Sequence, residues 1–123
     1  MKATIKMMVG AILLLAACQS KNQTQDFIPG TYVNSAKGEY AIANDTLLIQ
    51  LINVNNYQII RRTTYQAIRN GKLLPKHHKE QKLNAVWDSG KQELDETITG
   101  RIFHFDENKR LLLINQAVYH KIN

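Results

Sequence analysis

The sequence predicts an all-β protein: a single small antiparallel meander of about eight strands, closed into a barrel or folded into a sandwich. Short β-prone runs alternate with turn signals roughly every eight to twelve residues. No segment carries an apolar stripe at helical spacing for more than about two turns. About 105 residues follow the only cysteine, Cys18, and this length is enough for one domain with a modest core.

The first residues have the features of a signal peptide. Lys2 and Lys6 make the start basic, no acidic residue accompanies them, and residues 7–17 are apolar. This run of about eleven residues is shorter than the roughly 20 that a membrane-spanning helix needs, and it has the length of a secretory apolar region. We therefore expect residues 1–17 to be a signal peptide.

The tetrad Leu15-Ala16-Ala17-Cys18 resembles the lipobox of bacterial lipoproteins. The resemblance implies a lipid on the Cys18 sulfur, cleavage before Cys18 and acylation of the new amino group. Two or three chains, at about 0.8 kcal/mol per buried methylene, give durable anchoring in the membrane. The polar segment that follows predicts a flexible tether, so that residues 18–28 form the anchor and tether and residues 29–123 form the domain.

The first half of the domain predicts four strands, at residues 31–33, 38–43, 46–52 and 57–64. Asn44-Asp45 predicts a turn, and residues 53–56 predict a hairpin loop. Residues 65–70 are the best candidate for a single helical turn. Asn70-Gly71 predicts a tight turn, because both residues accept a positive φ.

The second half begins with a predicted polar loop at residues 76–82, after Pro75. Residues 83–87 alternate cleanly, which predicts a strand with Leu83, Ala85 and Trp87 facing inward. The remaining predicted strands cover residues 92–96, 97–105 with a bulge or a sharp coil at Gly100, 110–115 and 117–122.

The histidines do not predict a metal site. His77 and His78 are neighbours, so an extended chain directs them to opposite faces, and the flanking Lys76 and Lys79 repel a cation. His104 and His120 are the possible partners of this pair, but His104 lies between two phenylalanines in a strand pattern, where a histidine is more often a surface or cross-strand residue than a ligand. An enzyme that uses His104 or His120 is the least favoured function.

No group of residues predicts catalysis. The acidic residues are expected in polar turns, hydrated and ionised: Glu93, Asp95, Glu96, Asp106 and Glu107. The few serines lack a nucleophile-elbow context, and no glycine-rich phosphate loop is present. We therefore expect a protein that is not an enzyme and has no cofactor.

Arg61 and Arg62 are adjacent in a predicted strand, so one of them points inward. An inward arginine needs a carboxylate or a bound anion, and pairing with Glu39, Asp95 or Glu96 is favoured over an anion site. The strand aromatics predict core packing, with some lining a pocket if the barrel is wide. The candidate pocket or partner contacts are Tyr40, Tyr57, Arg61, Trp87, Phe103 and Tyr119.

The net charge of +6 is mild and scattered, and falls to +4 without Lys2 and Lys6. No basic face interleaved with stacking aromatics is evident, so nucleic acid is not an expected partner. Such a charge also fits a domain resting near anionic lipid head groups.

Six segments carry a further resemblance: PGTYVN, GEYAIANDTLLI, YQIIRRTTYQAIRNGKLLPK, Trp87-Asp88, LDETITGRIFHF and the closing VYHKIN. Together they resemble small lipoproteins of Bacteroidota, often encoded beside conjugative-transfer genes. The resemblance implies an envelope location and an accessory, protein-binding role in transfer, and it assigns no site residues. The GTY opening also resembles lipocalin-type domains, which implies the alternative of a carrier for a small apolar ligand.

The residues just after Cys18 bear on the membrane that holds the lipid. In lipoproteins of this phylum, an acidic run after the cysteine goes with export to the cell surface, and Gln19-Ser20-Lys21 has none. The resemblance implies the outer membrane, with the domain facing the periplasm. Exposure at the cell surface remains the alternative.

Overall fold

The computed structural model describes residues 23–123, so the predicted signal peptide and Cys18 lie outside the described residues. A short helix at residues 23–27 precedes nine strands. The strands are β1 (Gly30–Lys37), β2 (Ala41–Asn53), β3 (Asn56–Arg69), β4 (Lys72–Leu73), β5 (His77–Asp88), β6 (Glu93–Glu96), β7 (Ile102–Asp106), β8 (Leu111–Ile114) and β9 (Ala117–Lys121). In this part of the chain no helix is long and apolar enough to cross a membrane.

Eight of the strands form a closed antiparallel barrel. They follow the order β2-β1-β9-β8-β7-β6-β5-β3, and β2 and β3, at the two ends of this order, pair with each other through a long ladder, so that the strands form a ring. The first and last strands meet where Tyr32 pairs with Lys121 and Val33 with His120. The two-residue β4 pairs only with β3 and lies outside the ring. The all-β prediction is confirmed, and the barrel is the form that the structure takes.

The centre of the barrel is filled with side chains. Alternate residues of each strand point inward, as the pleat of a strand requires. The inward residues are apolar and almost all below 9% exposed: Tyr32, Leu47, Ile49, Tyr57, Ile59, Leu83, Ala85, Trp87, Leu94, Phe103, Leu112, Ile114 and Tyr119. Burial of this set is the main stabilising contribution to the fold.

Residues 23–28 close one end of the barrel. Ile28 is fully buried, and Phe27 packs edge-on against Tyr32 and Phe105. The Tyr32 hydroxyl donates to the Ile28 carbonyl at 2.8 Å, and the Lys121 ammonium lies 4.2 Å from the Phe27 ring centroid. The sequence predicts a flexible tether for these residues, whereas Phe27 and Ile28 hold them against the barrel. We call residues 23–28 the plug.

The strands differ in length, which leaves a sheet protruding from the barrel. β2, β3 and β5 have 13, 14 and 12 residues, whereas β6 to β9 have only four or five. At the end of the barrel away from the plug, these three strands therefore extend past the ring, together with the last residues of β1. We call residues 35–44 and 62–82 the distal sheet.

Three sequence predictions in this region are wrong. Asn44-Asp45 lies within β2 and is not a turn, residues 65–69 continue β3 and are not helical, and residues 77–82 begin β5 and are not a loop. In each case antiparallel pairing with a neighbouring strand overrides the local preference of polar residues. Gly100 (φ +74) lies outside the strands, between β6 and β7, and makes no bulge inside one.

Candidate functional site

A polar network interrupts the apolar interior where the barrel opens into the distal sheet. Asp45 lies on β2 two residues before the buried Leu47, so it shares the inward face. On β3, Thr63 is directly opposite Asp45, and Arg61 is opposite Leu47. Tyr119 of β9 completes the group from the other side of β1. The register of three strands therefore assembles this network.

The Asp45 carboxylate accepts hydrogen bonds on both oxygens. Arg61 Nε lies 3.0 Å from each oxygen, and Arg61 Nη2 lies 2.9 Å from Oδ2. Thr63 donates to Oδ1 at 3.1 Å, and Tyr119 donates to Oδ2 at 2.5 Å. Burial raises the pKa of Asp45, but the hydrogen bonds from Arg61 and Tyr119 outweigh it and hold that pKa below its usual value.

The network has a structural role and is poorly suited to catalysis. Desolvation, together with the bond to Asp45, raises the pKa of the Tyr119 hydroxyl far above its ordinary range. An acid–base catalyst needs a lone pair or a proton available to a substrate. Here three side chains donate to the carboxylate, so the group links β2, β3 and β9 at the open end of the ring.

The structure pairs Arg61 with a carboxylate, as the sequence predicts, but the carboxylate is Asp45. Glu39, Asp95 and Glu96 are not its partners. Asp45 was missed because Asn44-Asp45 was assigned to a turn. Its position in the alternation of Leu47 and Ile49 was the signal that could have found it.

The six candidate contact residues do not converge on one pocket. Tyr57, Trp87, Phe103 and Tyr119 are at most 5% exposed and belong to the barrel interior. Tyr40 lies in the turn between β1 and β2, and its side chain is 74% exposed. Arg61 and Tyr119 share a hydrogen-bond partner, the Asp45 carboxylate.

Two carboxylates predicted to be hydrated are buried, Glu93 at 6% and Glu96 at 1% exposed. Glu96 accepts hydrogen bonds from the Ile98 and Thr99 amides and from the Thr99 hydroxyl, which fixes the turn after β6. Burial raises the pKa of Glu96, yet these bonds lower it overall. Glu96 is therefore an element of the turn and is not free for chemistry. Among residues 23–123, no cluster of histidine, cysteine and acidic side chains is placed to hold a metal ion.

The distal sheet carries the positive charge of the described domain. It has seven basic and two acidic side chains, which gives a net charge of +5. The acidic residues are Glu39 and Glu80, and the basic residues are Lys37, Arg62, Arg69, Lys72, Lys76, Lys79 and Lys82. The other described residues carry six basic and eight acidic side chains, a net charge of −2. The charge that looks scattered in the sequence is thus separated in space.

Apolar side chains are exposed on the same sheet. Tyr40, Tyr65 and Leu73 are 74%, 45% and 57% exposed. On the outer face, a groove of about 360 Å³ runs between β3 and β5, beside the exposed Arg62–Glu80 ion pair. A basic surface with exposed aromatics is suited to contact with another macromolecule.

One edge of β5 has no strand beside it. β6 pairs with β5 only from Ala85 to Asp88, so among the described strands none pairs with this edge from His77 to Leu83. The Thr97 amide donates to the Asn84 carbonyl at 2.9 Å, which fixes the direction of the Asn84 peptide group. Because peptide groups alternate along a strand, those of His78, Glu80 and Lys82 point to the same free edge. Sequence reasoning missed this edge because it assigned residues 76–82 to a loop.

No protein-family model matches the chain, and the searches of curated proteins and of solved structures found no match either. The resemblance to lipoproteins of Bacteroidota therefore stays a prediction from the sequence.

Proposed function

We propose that the protein is a lipid-anchored, non-enzymatic domain of the cell envelope that binds another protein, as an accessory in conjugative transfer. The observation that supports this function best is the distal sheet, which combines a net charge of +5 with exposed aromatic and aliphatic side chains. In this proposal the lipid on Cys18 holds the domain at the outer membrane, facing the periplasm.

The position of the plug supports the orientation. The Gln25 amide contacts Val54 and Asn55 in the turn between β2 and β3, so the chain enters the barrel at that end. The far end of β3 lies about 40 Å along the strand from this turn, at 3.2–3.4 Å per residue. An anchor before the plug therefore leaves the distal sheet directed away from the lipid and accessible to a partner.

The carrier alternative lacks such support. A carrier for an apolar ligand needs open space inside its barrel. The described interior is instead filled by the packed side chains of Tyr57, Trp87 and Phe103 with their neighbours. We therefore do not propose a carrier.

Charge reversal on the distal sheet tests the proposed contact. In intact envelopes, a tagged chain with Lys76→Glu and Lys79→Glu should yield at least tenfold less crosslinked partner protein than the tagged wild type. The matched control is Lys91→Glu with Lys109→Glu, an equal change of charge at exposed sites outside the distal sheet. Equal crosslinking by all three chains would reject the distal sheet as the contact surface.

The anchor needs its own test. A Cys18→Ser chain should keep its signal peptide or leave the membrane fraction, because the acceptor sulfur is gone. Immunoblots of membrane and soluble fractions show the outcome, and metabolic labelling with palmitate shows the lipid directly. Normal processing with normal membrane retention would overturn the lipoprotein assignment.

A further inference from the structure

We infer that the free edge of β5, from His77 to Leu83, binds an extended acidic segment of a partner protein by strand addition. This inference deepens the proposed function and rests on it. In strand addition the main chain supplies hydrogen bonds, and the side chains on alternate positions supply selectivity. The peptide groups of His78, Glu80 and Lys82 are available for such bonds.

The length of the edge fits one strand. Seven residues at 3.2–3.4 Å each span about 20 Å, which is an ordinary strand length in globular proteins. The opposite edge of these residues pairs with β3, from Tyr65–His77 to Ile59–Leu83. The edge is therefore preformed, and a partner strand would order little of this protein on binding.

Charge selects the occupant. Lys79 lies on the face that continues the inward face of the barrel, and Lys82 lies on the outer face. The single acidic residue of the edge, Glu80, is paired with Arg62 at 3.0 Å. An acidic strand thus meets lysines on both of its faces. A second copy of this chain would instead bring two positive edges together, which destabilises cross-strand pairing.

The charge distribution favours a protein over a lipid surface as the source of the acidic groups. The positive end lies opposite the plug, whereas the described residues outside the distal sheet, which include the plug, have a net charge of −2. A membrane that holds the N-terminus would face the wrong end of the molecule.

The test uses the full chain in detergent and a labelled octapeptide that alternates glutamate with valine. We expect binding by fluorescence anisotropy that weakens as salt is raised, since exposed charges are screened. The same peptide with every amide N-methylated keeps its charge but cannot pair, and should bind at least tenfold more weakly. Equal binding of both peptides would overturn the inference, because charge alone would then explain the affinity.

A pair of proline variants tests the edge itself. His78→Pro removes an amide that points to the free edge of β5, and proline is tolerated at such positions. Ser35→Pro is the matched control on the free edge of β1, where the Thr31 bonds to residues 122 and 123 fix the same alternation. We expect a loss of at least tenfold in peptide affinity for His78→Pro and no change for Ser35→Pro. The opposite pattern, or no difference, would overturn the inference.

Two further measurements separate the outcomes. If amides 78–82 become protected from hydrogen exchange in vesicles containing phosphatidylglycerol, and not in phosphatidylcholine alone, the edge faces lipid and the inference is overturned. If His78→Pro crosslinks its envelope partner as well as the wild type does, while Lys76→Glu with Lys79→Glu does not, the proposed function stands and strand addition is rejected. If the peptide binds but no envelope protein is crosslinked, strand addition stands and the proposed function is rejected.

Discussion

Arg61 and Arg62 show how one residue's direction decides its contribution. Arg61 points inward to Asp45, and the two side chains are 24% and 11% exposed. Arg62 points outward to Glu80, and that pair is 66% and 53% exposed. Removing one partner of a buried pair leaves an uncompensated charge, whereas an exposed pair contributes little to stability.

The two arginines therefore predict different losses. Arg61→Ala should lower the free energy of unfolding by about 3 kcal/mol, because Asp45 would stay buried with its charge. Arg62→Ala, the matched control on the next residue, should lower it by less than about 1 kcal/mol. Urea denaturation followed by Trp87 fluorescence measures both values. Equal losses would show that the inward pair has no special weight.

Asp45 also makes stability depend on acid. Its folded pKa lies below the ordinary value of 3.8, so the folded state binds its proton less readily than the unfolded chain does. The stabilisation is present above about pH 4 and is lost as the pH falls through the folded pKa. Asp45→Asn should be less stable than the wild type at pH 7, and the difference should shrink below pH 4.

Urea denaturation from pH 7 to pH 2 gives the curves of unfolding free energy against pH for the wild type and for Asp45→Asn. An Asp45→Asn curve parallel to the wild type throughout would contradict the assigned stabilisation.

At the scale of elements, Gly30 is required where β1 leaves the plug. Its φ is +149, and a Cβ there would overlap the Asn123 carbonyl and lie 2.7 Å from Lys121 Cε. The close approach follows from the Thr31 amide, which donates to the Asn123 carbonyl at 3.1 Å. Only a residue without a side chain lets the first strand come this near to the end of the chain.

Gly30→Ala should destabilise the barrel by about 3 kcal/mol, from a clash and a strained φ together. Gly71→Ala is the control, since its φ is +75 but a Cβ would meet nothing within 4 Å. It should cost about 1 kcal/mol, the strain alone. Denaturation midpoints distinguish the two, and equal shifts would contradict the steric argument.

The elements differ in how far the sequence predicts them. The Asn70-Gly71 turn is confirmed, with φ of +54 and +75, because its chemistry is local. The alternation of residues 83–87 is confirmed for the same reason. The start of β5 was missed, since a polar stretch on an exposed edge has no periodicity and becomes a strand only through pairing with β3. The Asp45 network was missed because it depends on the register of three strands.

At the scale of the whole molecule, the sequence left barrel and sandwich open. Closure depends on the pairing of β1 with β9, about 90 residues apart in the chain, and no local pattern reports such a contact. The protruding sheet was equally hidden, because predicted breaks at Asn44-Asp45 and residues 76–82 shortened the strands that form it. Separation of charge follows from that sheet, so it also needed the structure.

The plug predicts where the domain can be shortened. A chain beginning at residue 23 should fold, whereas one beginning at residue 29 loses the buried Ile28 and the Phe27 contacts. Losing a buried side chain of this size costs about 2–5 kcal/mol. Thermal unfolding by circular dichroism should show a clearly lower midpoint for the shorter chain. Equal midpoints would show that residues 23–28 only rest on the barrel.

The ladder between the first and last strands also sets the order of events during synthesis. β1 cannot gain its second neighbour until residues 117–123 have emerged, since those residues provide the partner. On the secretion route proposed above, the polypeptide would pass through the translocation channel unfolded, and the barrel would close only after the chain is released. We therefore expect chaperones that bind unfolded proteins on the far side of that channel to bind this chain before its barrel closes.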